Sequence, residues 1–292
     1  MASGRLHSFV KVLGSNPSYI FGRFRAVRKA YAGLRHVGQK LHDVSHLEFG
    51  DKYATQSVRI DLARCASVLF DEPAGQMAEA VRRKSWSAGL RLAPDFVQAI
   101  HQFAQRAPLI GQDVKLATYA ALAATKDSTV AIATVETAHE CPEIAVIAAD
   151  QDLYQIIAQV LGYKPRRASC WLFWSFAKAL SEDQRRQQYQ TIDFHYDVHG
   201  YSFVYVNFYL TNTTSQDGAH VLIEGSHSQK SLKHLLGSAR LSDDEAISAY
   251  GNSSVRTIEA PAGAGFIEDT SCYHKALPPR QNERLMLQLR YT

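Results

Sequence analysis

From Tyr19 to Leu41 the apolar residues Tyr19, Ile20, Phe24, Val27, Tyr31, Leu34, Val37 and Leu41 recur at steps of three to four, with Arg and Lys largely between them. That period predicts an amphipathic helix. Residues 76–84 and 94–106 repeat it, and Pro94 stands at the head of the second run, where its fixed φ suits a first helical turn. Residues 128–135 read as a strand. Pro142 then opens a helical stripe through Ile144, Ile147, Leu153, Ile156, Ile157 and Val160 that Gly162 ends. Beyond it the period shortens. Residues 203–210, 221–223, 255–258, 265–267 and 285–291 are rich in β-branched and aromatic residues and predict short strands between turn-rich runs such as 213–218. Residues 229–250 interrupt them with a helix-like insert. Helices in front and short strands behind predict an α+β chain, a β-sandwich or barrel with an N-terminal helical cover. The expected layout is a basic helical segment over 1–50 and one domain over 51–292. Within that domain the cover spans about 51–125 and 142–162, and the β core lies mainly at 165–292.

Composition narrows the class. With 292 residues, 46% hydrophobic and 21% charged, the chain can bury a large core, which excludes wholesale disorder. No apolar run reaches the ~18 residues of a membrane span. Cys65, Cys141, Cys170 and Cys272 lack paired C-x-x-C spacing, which argues against a zinc ribbon or redox dithiol and for reduced thiols in the cytoplasm. The net charge of +4 is unevenly placed: residues 1–42 hold eight Lys/Arg and no acid, leaving 24 basic against 28 acidic residues elsewhere. A nucleic-acid groove would spread its basic charge over a domain, so no such partner is expected. Three readings of the basic segment stand side by side: a helix packed on the body with a solvated basic face, a peripheral contact with anionic lipid through residues 1–42, and a transit peptide.

The candidate chemistry lies at residues 191–200. His195 and Asp197 are two apart, and on a strand such residues share a face, so one strand can offer an imidazole and a carboxylate to one ion. Composition alone, with 12 His in the chain, makes one such pair ordinary. Its context is less so: it precedes the most β-like stretch, and His274 follows a later strand as a third donor. Two His and one carboxylate on one face of an octahedral ion leave three positions open, the arrangement that suits non-haem Fe(II). Arg284, ten residues after His274, opens the terminal strand and can bind a carboxylate bidentately; Arg290 has the same strand parity, so spacing alone does not exclude it.

These pieces resemble the phytanoyl-CoA dioxygenase-like family of Fe(II)/2-oxoglutarate-dependent oxygenases. The matching runs are Phe194-His195-Tyr196-Asp197, Phe208 to Asn212, Asp217 to His220 leading to Glu224-Gly225-Ser226-His227, Thr270 to His274, and Glu283-Arg284-Leu285. Upstream, Trp171 to Ser175 resembles the strand before the metal motif in a bacterial branch. The resemblance implies a double-stranded β-helix (jelly-roll, cupin-like), with His195, Asp197 and His274 as iron ligands and Arg284 as the 2-oxoglutarate anchor. It also implies Fe(II) as metal, 2-oxoglutarate and O2 as co-substrates, and hydroxylation of a small-molecule, lipid-linked or sugar-type substrate with release of succinate and CO2. Asp197 in the third ligand place favours hydroxylation over halogenation, and desaturation, epimerisation and cyclisation stay open. His220 and Trp174 are candidate substrate contacts, and His227 a structural residue. The rival readings are a cupin-like metal-binding protein or sensor without turnover and a non-oxidative metal-dependent isomerase of the same barrel type.

Overall fold

The computed structural model describes residues 17–39, 44–51, 57–65, 67–111, 114–124, 129–188 and 190–292. The expectations for Arg5, Lys11, Lys40 and Leu41 therefore lie outside the described residues. In chain order the strands are β1 (His46–Asp51), β2 (Val58–Asp61), β3 (Val68–Phe70), β4 (Trp86–Leu92), β5 (Pro108–Gly111), β6 (Val114–Thr118), β7 (Ile132–Val135) and β8 (Arg167–Ser175). They continue with β9 (Phe194–His195), β10 (Val204–Tyr209), β11 (His220–Ile223), β12 (Arg240–Leu241), β13 (Val255–Ile258), β14 (Ala264–Glu268), β15 (His274–Ala276) and β16 (Arg284–Tyr291). They form two mostly antiparallel sheets in an α+β fold. The larger has eleven strands along the path β3-β4-β14-β10-β16-β8-β7-β5-β6, with β1 and β2 branching from β8; the smaller runs β12-β9-β15-β11-β13.

Strand β8 organises the larger sheet. One edge pairs with β16 along its whole length, from Arg284↔Ser175 to Tyr291↔Ala168. The other edge is shared: β1 runs parallel to its first half and β7 antiparallel to its second. Both faces of β8 and β16 are buried, which is why their sequences read as nearly unbroken apolar runs. Leu172, Trp174, Leu285, Leu287 and Leu289 point outward into a core shared with Ile100 and Ala104 of helix Pro94–Arg106 and with Ile144 and Ile157 of helices Pro142–Ala148 and Gln151–Leu161. Phe173 and Met286, of opposite parity, face the smaller sheet and pack with Tyr209, Leu222 and Phe266. The helix Gln151–Leu161 is bounded as its ends require: the Asp150 carboxylate accepts the Asp152 and Leu153 amides, and Gly162 closes it at φ 77°.

The stretch expected as a helical cover over 51–125 is mixed. It holds helices Ala74–Lys84, Pro94–Arg106 and Tyr119–Ala124, but also β2 to β6, which widen the larger sheet. Strand β4 alternates on either side of an irregularity in its pairing with β14: Ser87 is buried and Ala88 exposed before it, and Leu90 and Leu92 are buried around an exposed Arg91 after it. The body also starts before residue 51, because β1 is laid against β8. The insert over 229–250 carries helices Leu232–Leu236 and Asp243–Tyr250, with β12 between them.

The basic segment forms helices Pro17–Phe21 and Arg25–Gln39, and it does not turn all its cations to water. Arg28 pairs with Asp269 at 3.0 Å, with side chains 13% and 16% exposed, and also donates to the Ser271 hydroxyl. Burial pushes the Asp269 carboxyl up, but Arg28, His227 and Ser271 outweigh it and hold it at about 2. Arg28→Ala should therefore destabilise the fold by about 3 kcal/mol, the low end for removing one partner of a buried pair. The sign follows from the depressed carboxyl: the wild type's advantage is full above the ordinary aspartate value and disappears as pH falls through about 2. Urea unfolding of both forms between neutral and acid pH measures it.

Candidate metal centre

His195 ends β9 and His274 opens β15, and the two are direct cross-strand partners, so their rings stand 4.3 Å apart. Asp197 follows β9, its amide donating to the Thr270 carbonyl at 2.8 Å, and its Oδ2 lies 3.9 Å from His274 Nε2. One donor atom from each of the three residues lies within 4.8 Å of the others. Each imidazole is oriented from behind. His195 Nδ1 donates to the Asp193 carbonyl at 3.1 Å, and His274 Nδ1 to the Cys272 carbonyl at 3.0 Å. A carbonyl can only accept, so both rings carry a proton on Nδ1, which leaves Nε2 as the ligand atom of each ring. Burial, then His274, pull His195 well below the usual histidine range despite Asp197, which keeps it an unprotonated donor. Two imidazoles and a carboxylate fit a divalent first-row metal.

Glu268, Cys272 and His274 are also mutually close. This set is the poorer one. Burial, then Glu268, push the Cys272 thiol well above its normal range, and it donates to Glu268 Oε1 at 3.3 Å. A protonated thiol is not a metal ligand. The other Glu268 oxygen lies 2.9 Å from His220 Nε2, so a fully buried carboxylate backs an imidazole whose ring stacks 5.4 Å from that of His274. Burial raises the Glu268 carboxyl, but His220, His274 and the Cys272 thiol together bring it below its ordinary value. Glu268 carries no signal in the sequence, since a lone acid in an apolar strand has no spacing to flag it.

A cavity of about 800 Å³ joins the triad to the inner face of the larger sheet. Arg284, Met286 and Gln288 line it from β16, opposite Ser175, Phe173 and Trp171 of β8. Arg284 is 2% exposed. Its guanidinium donates to the Gly218 carbonyl and, at 3.2 Å, to the Ser175 hydroxyl, and it lies over the Phe173 ring at 5.6 Å. Its Nε is buried without a partner, and no carboxylate among the described residues forms an ion pair with it. Arg290 shares its parity but does not line the cavity, which separates the two candidates that spacing left open.

Of the two candidate substrate contacts, His220 lines the cavity and Trp174 does not. Trp174 is corrected: the register of β8 on β16 turns it outward, where it stacks on Tyr119 at 4.1 Å and sends its Nε1–H toward the Ala104 carbonyl at 3.4 Å. Trp171 lies on the cavity side, its indole N–H held by Thr134 at 2.7 Å. Outside the cavity, His227 donates from Nε2 to the Arg82 carbonyl at 3.1 Å, and Ser226 accepts the Tyr273 amide at 2.8 Å, steadying the approach to His274. Glu224, in the same turn, accepts the Trp86 indole N–H at 2.8 Å and pairs with Arg256 at 3.0 Å.

No protein-family model and no curated protein matches the chain. Among solved structures it is similar to SnoN, described as the non-heme alpha ketoglutarate dependent epimerase from nogalamycin biosynthesis. The TM-score is 0.53 at 13% identity, over 75% of this chain and 82% of that one. SnoN in complex with Fe3+, alpha ketoglutarate and nogalamycin RO gives a TM-score of 0.51 at 14% identity, over 75% and 83%. HygX from Streptomyces hygroscopicus, with nickel and 2-oxoglutarate bound, gives 0.48 at 10% identity, over 74% and 85%. At these identities the likeness to SnoN is one of fold.

Two measurements test this geometry. His195→Ala and His274→Ala should each weaken Mn(II) or Fe(II) binding by at least roughly tenfold in anaerobic calorimetry while the fold persists, the usual penalty for losing or disordering a ligand. Trp174→Ala should cost about 3–5 kcal/mol of stability as a buried aromatic deletion. Trp171→Ala, at a half-buried ring stacked on Phe173 at 4.3 Å, should cost less stability than Trp174→Ala and weaken ligand binding in the cavity.

Proposed function

We propose that this protein is a non-haem Fe(II)/2-oxoglutarate-dependent oxygenase of the phytanoyl-CoA dioxygenase-like type, whose two sheets are the halves of a double-stranded β-helix. The observation that carries the reading is the conjunction, in one cavity, of a two-His-one-carboxylate donor set and a buried guanidinium with no carboxylate of its own. A metal accounts for the first and the far carboxylate of a dicarboxylic co-substrate for the second.

His195, Asp197 and His274 would hold the iron. Bound iron with 2-oxoglutarate and O2 supplies the oxidising power, at the expense of decarboxylating the co-substrate to succinate. The remaining work belongs to this chain. Arg284 fixes one end of the co-substrate, the Gly218 carbonyl and Ser175 hydroxyl fix Arg284, and Phe173 and Met286 keep water from the space between the sheets. The Asp193 and Cys272 carbonyls hold the two rings with Nε2 as the ligand atom. His220, backed by Glu268, contributes a polar edge beside His274.

The outcome we assign is hydroxylation of an unactivated C–H, because the carboxylate of Asp197 occupies the place that a halide would need. The substrate is a polar small molecule, free or carried on a lipid or sugar. Trp171 offers it an aromatic platform, while Thr134, Glu136, Gln188 and Gln288 offer hydrogen bonds.

Succinate release tests the reading. With Fe(II) and O2 the wild type should convert 2-oxoglutarate to succinate, faster when a substrate is present. Arg284→Ala should raise the KM for 2-oxoglutarate by an amount equivalent to about 2–5 kcal/mol, and Arg290→Ala by far less. A protein that binds iron and never forms succinate with any substrate is a metal-binding cupin instead.

A further inference from the structure

We propose that the outer face of helix Arg25–Gln39 docks on an anionic membrane surface. A helix at a water boundary turns its apolar side inward and its charges outward. This one departs from that rule on its outer side: Tyr31 and Ala32 pack inward on the core as expected, but apolar residues also face outward and polar groups inward. Its inner face carries Arg28, bound to Asp269 and Ser271, Arg35, which donates to the Tyr31 hydroxyl at 3.0 Å, and Gln39, which exchanges two hydrogen bonds with the Lys164 main chain. Its outer face carries Ala26, Ala30, Gly33, Leu34 and Val37, all exposed. They fall at i, i+4, i+7, i+8 and i+11, one continuous stripe, with Leu34 75% and Val37 66% exposed. Neighbouring elements expose further apolar residues. Tyr19 and Phe21 stand 36% and 45% exposed on the preceding turn. Arg23 donates to the Leu235 and Gly237 carbonyls, which sets that turn beside helix Leu232–Leu236, where Leu232 and Leu236 are 68% and 53% exposed. Single exposed apolar residues need no explanation, but a run of them across adjoining elements does.

Charge selects the occupant. Arg25 and Lys29 lie exposed along one flank of the stripe. In a two-fold pair of this chain the patch would meet its own copy, which carries no acidic residue to complement Arg25 and Lys29. An anionic bilayer supplies both complements, an apolar layer for Leu34 and Val37 and negative headgroups for the flanking cations. The inward polar contacts fix the rotation of the helix, so the stripe is presented before any lipid arrives.

The test is co-sedimentation of the full chain with vesicles of phosphatidylcholine alone or mixed with phosphatidylglycerol. The expected result is binding to the mixed vesicles only, weakened by salt. Leu34→Asp/Val37→Asp and Arg25→Glu/Lys29→Glu should each reduce partitioning by roughly tenfold or more with unchanged circular dichroism and thermal midpoint. If the aspartates disturb folding, Leu34→Ser/Val37→Ser takes their place. Three results overturn the proposal: no binding to anionic vesicles at low salt, binding undiminished in both double variants, or a wild-type dimer in sedimentation velocity that the Leu34/Val37 variants dissolve.

Discussion

Arg284 is 2% exposed, its Nε has no partner, and the groups it does reach are a carbonyl and a hydroxyl rather than a carboxylate. Removing a guanidinium from water and leaving its charge uncompensated is worth several kcal/mol against folding. The surrounding structure is arranged to tolerate it. The pairing of β16 with β8 brings Ser175 opposite, and the sharp turn at Gly218, φ +90°, brings a carbonyl from the smaller sheet. A Cβ at Gly218 would meet Pro279 at 2.8 Å, so this contact depends on glycine. The charge held in this way faces the same cavity as the three metal-ligand candidates. On the proposed reading, one dianionic ligand bridging metal and guanidinium would relieve both tensions, which would make the two features one site.

The triad is similarly held by its surroundings. His195 and His274 are adjacent across a strand pair, and two backbone carbonyls fix Nε2 as the ligand atom of each ring. The loop before His274 is tied down from three sides: by Arg28 on Asp269 and Ser271, by Asp197 on the Thr270 carbonyl, and by Ser226 on the Tyr273 amide. The basic N-terminal helix thus supports the site through its inner face, while its outer face carries exposed Leu34 and Val37. Stability, orientation of the donors and presentation of the apolar stripe share the Arg28 contact.

The parts of the fold and site that were legible in the sequence rest on local periodicity. His195 and Asp197 stood out because strand parity puts i and i+2 on one face, and the helices at 94–106 and 151–161 because their apolar stripes and end residues agree. What depended on register was not legible. Trp174 and Trp171 lie three apart, and only the pairing of β8 on β16 decides which of them faces the cavity. Arg284 and Arg290 have equal parity and differ only in how far along β16 the cavity extends. Strands β2 to β6 are short and lie between helices, so their alternation was lost in a stretch read as helical. The Glu268–His220 pair joins residues 48 apart through tertiary packing alone. Periodicity groups Leu34 and Val37 with Tyr31 in one helical stripe and does not state which side of the helix meets the body.

The central claim, that iron at the triad and the charge of Arg284 are bridged by one 2-oxo dicarboxylate, is tested most directly by visible absorption under anaerobic conditions. Fe(II) and 2-oxoglutarate added together to the wild type should produce the charge-transfer band of a chelated 2-oxo acid. In Arg284→Ala, iron binding should persist while the band requires far more 2-oxoglutarate to develop. No band in the wild type, or equal 2-oxoglutarate affinity in the two proteins, would contradict the account.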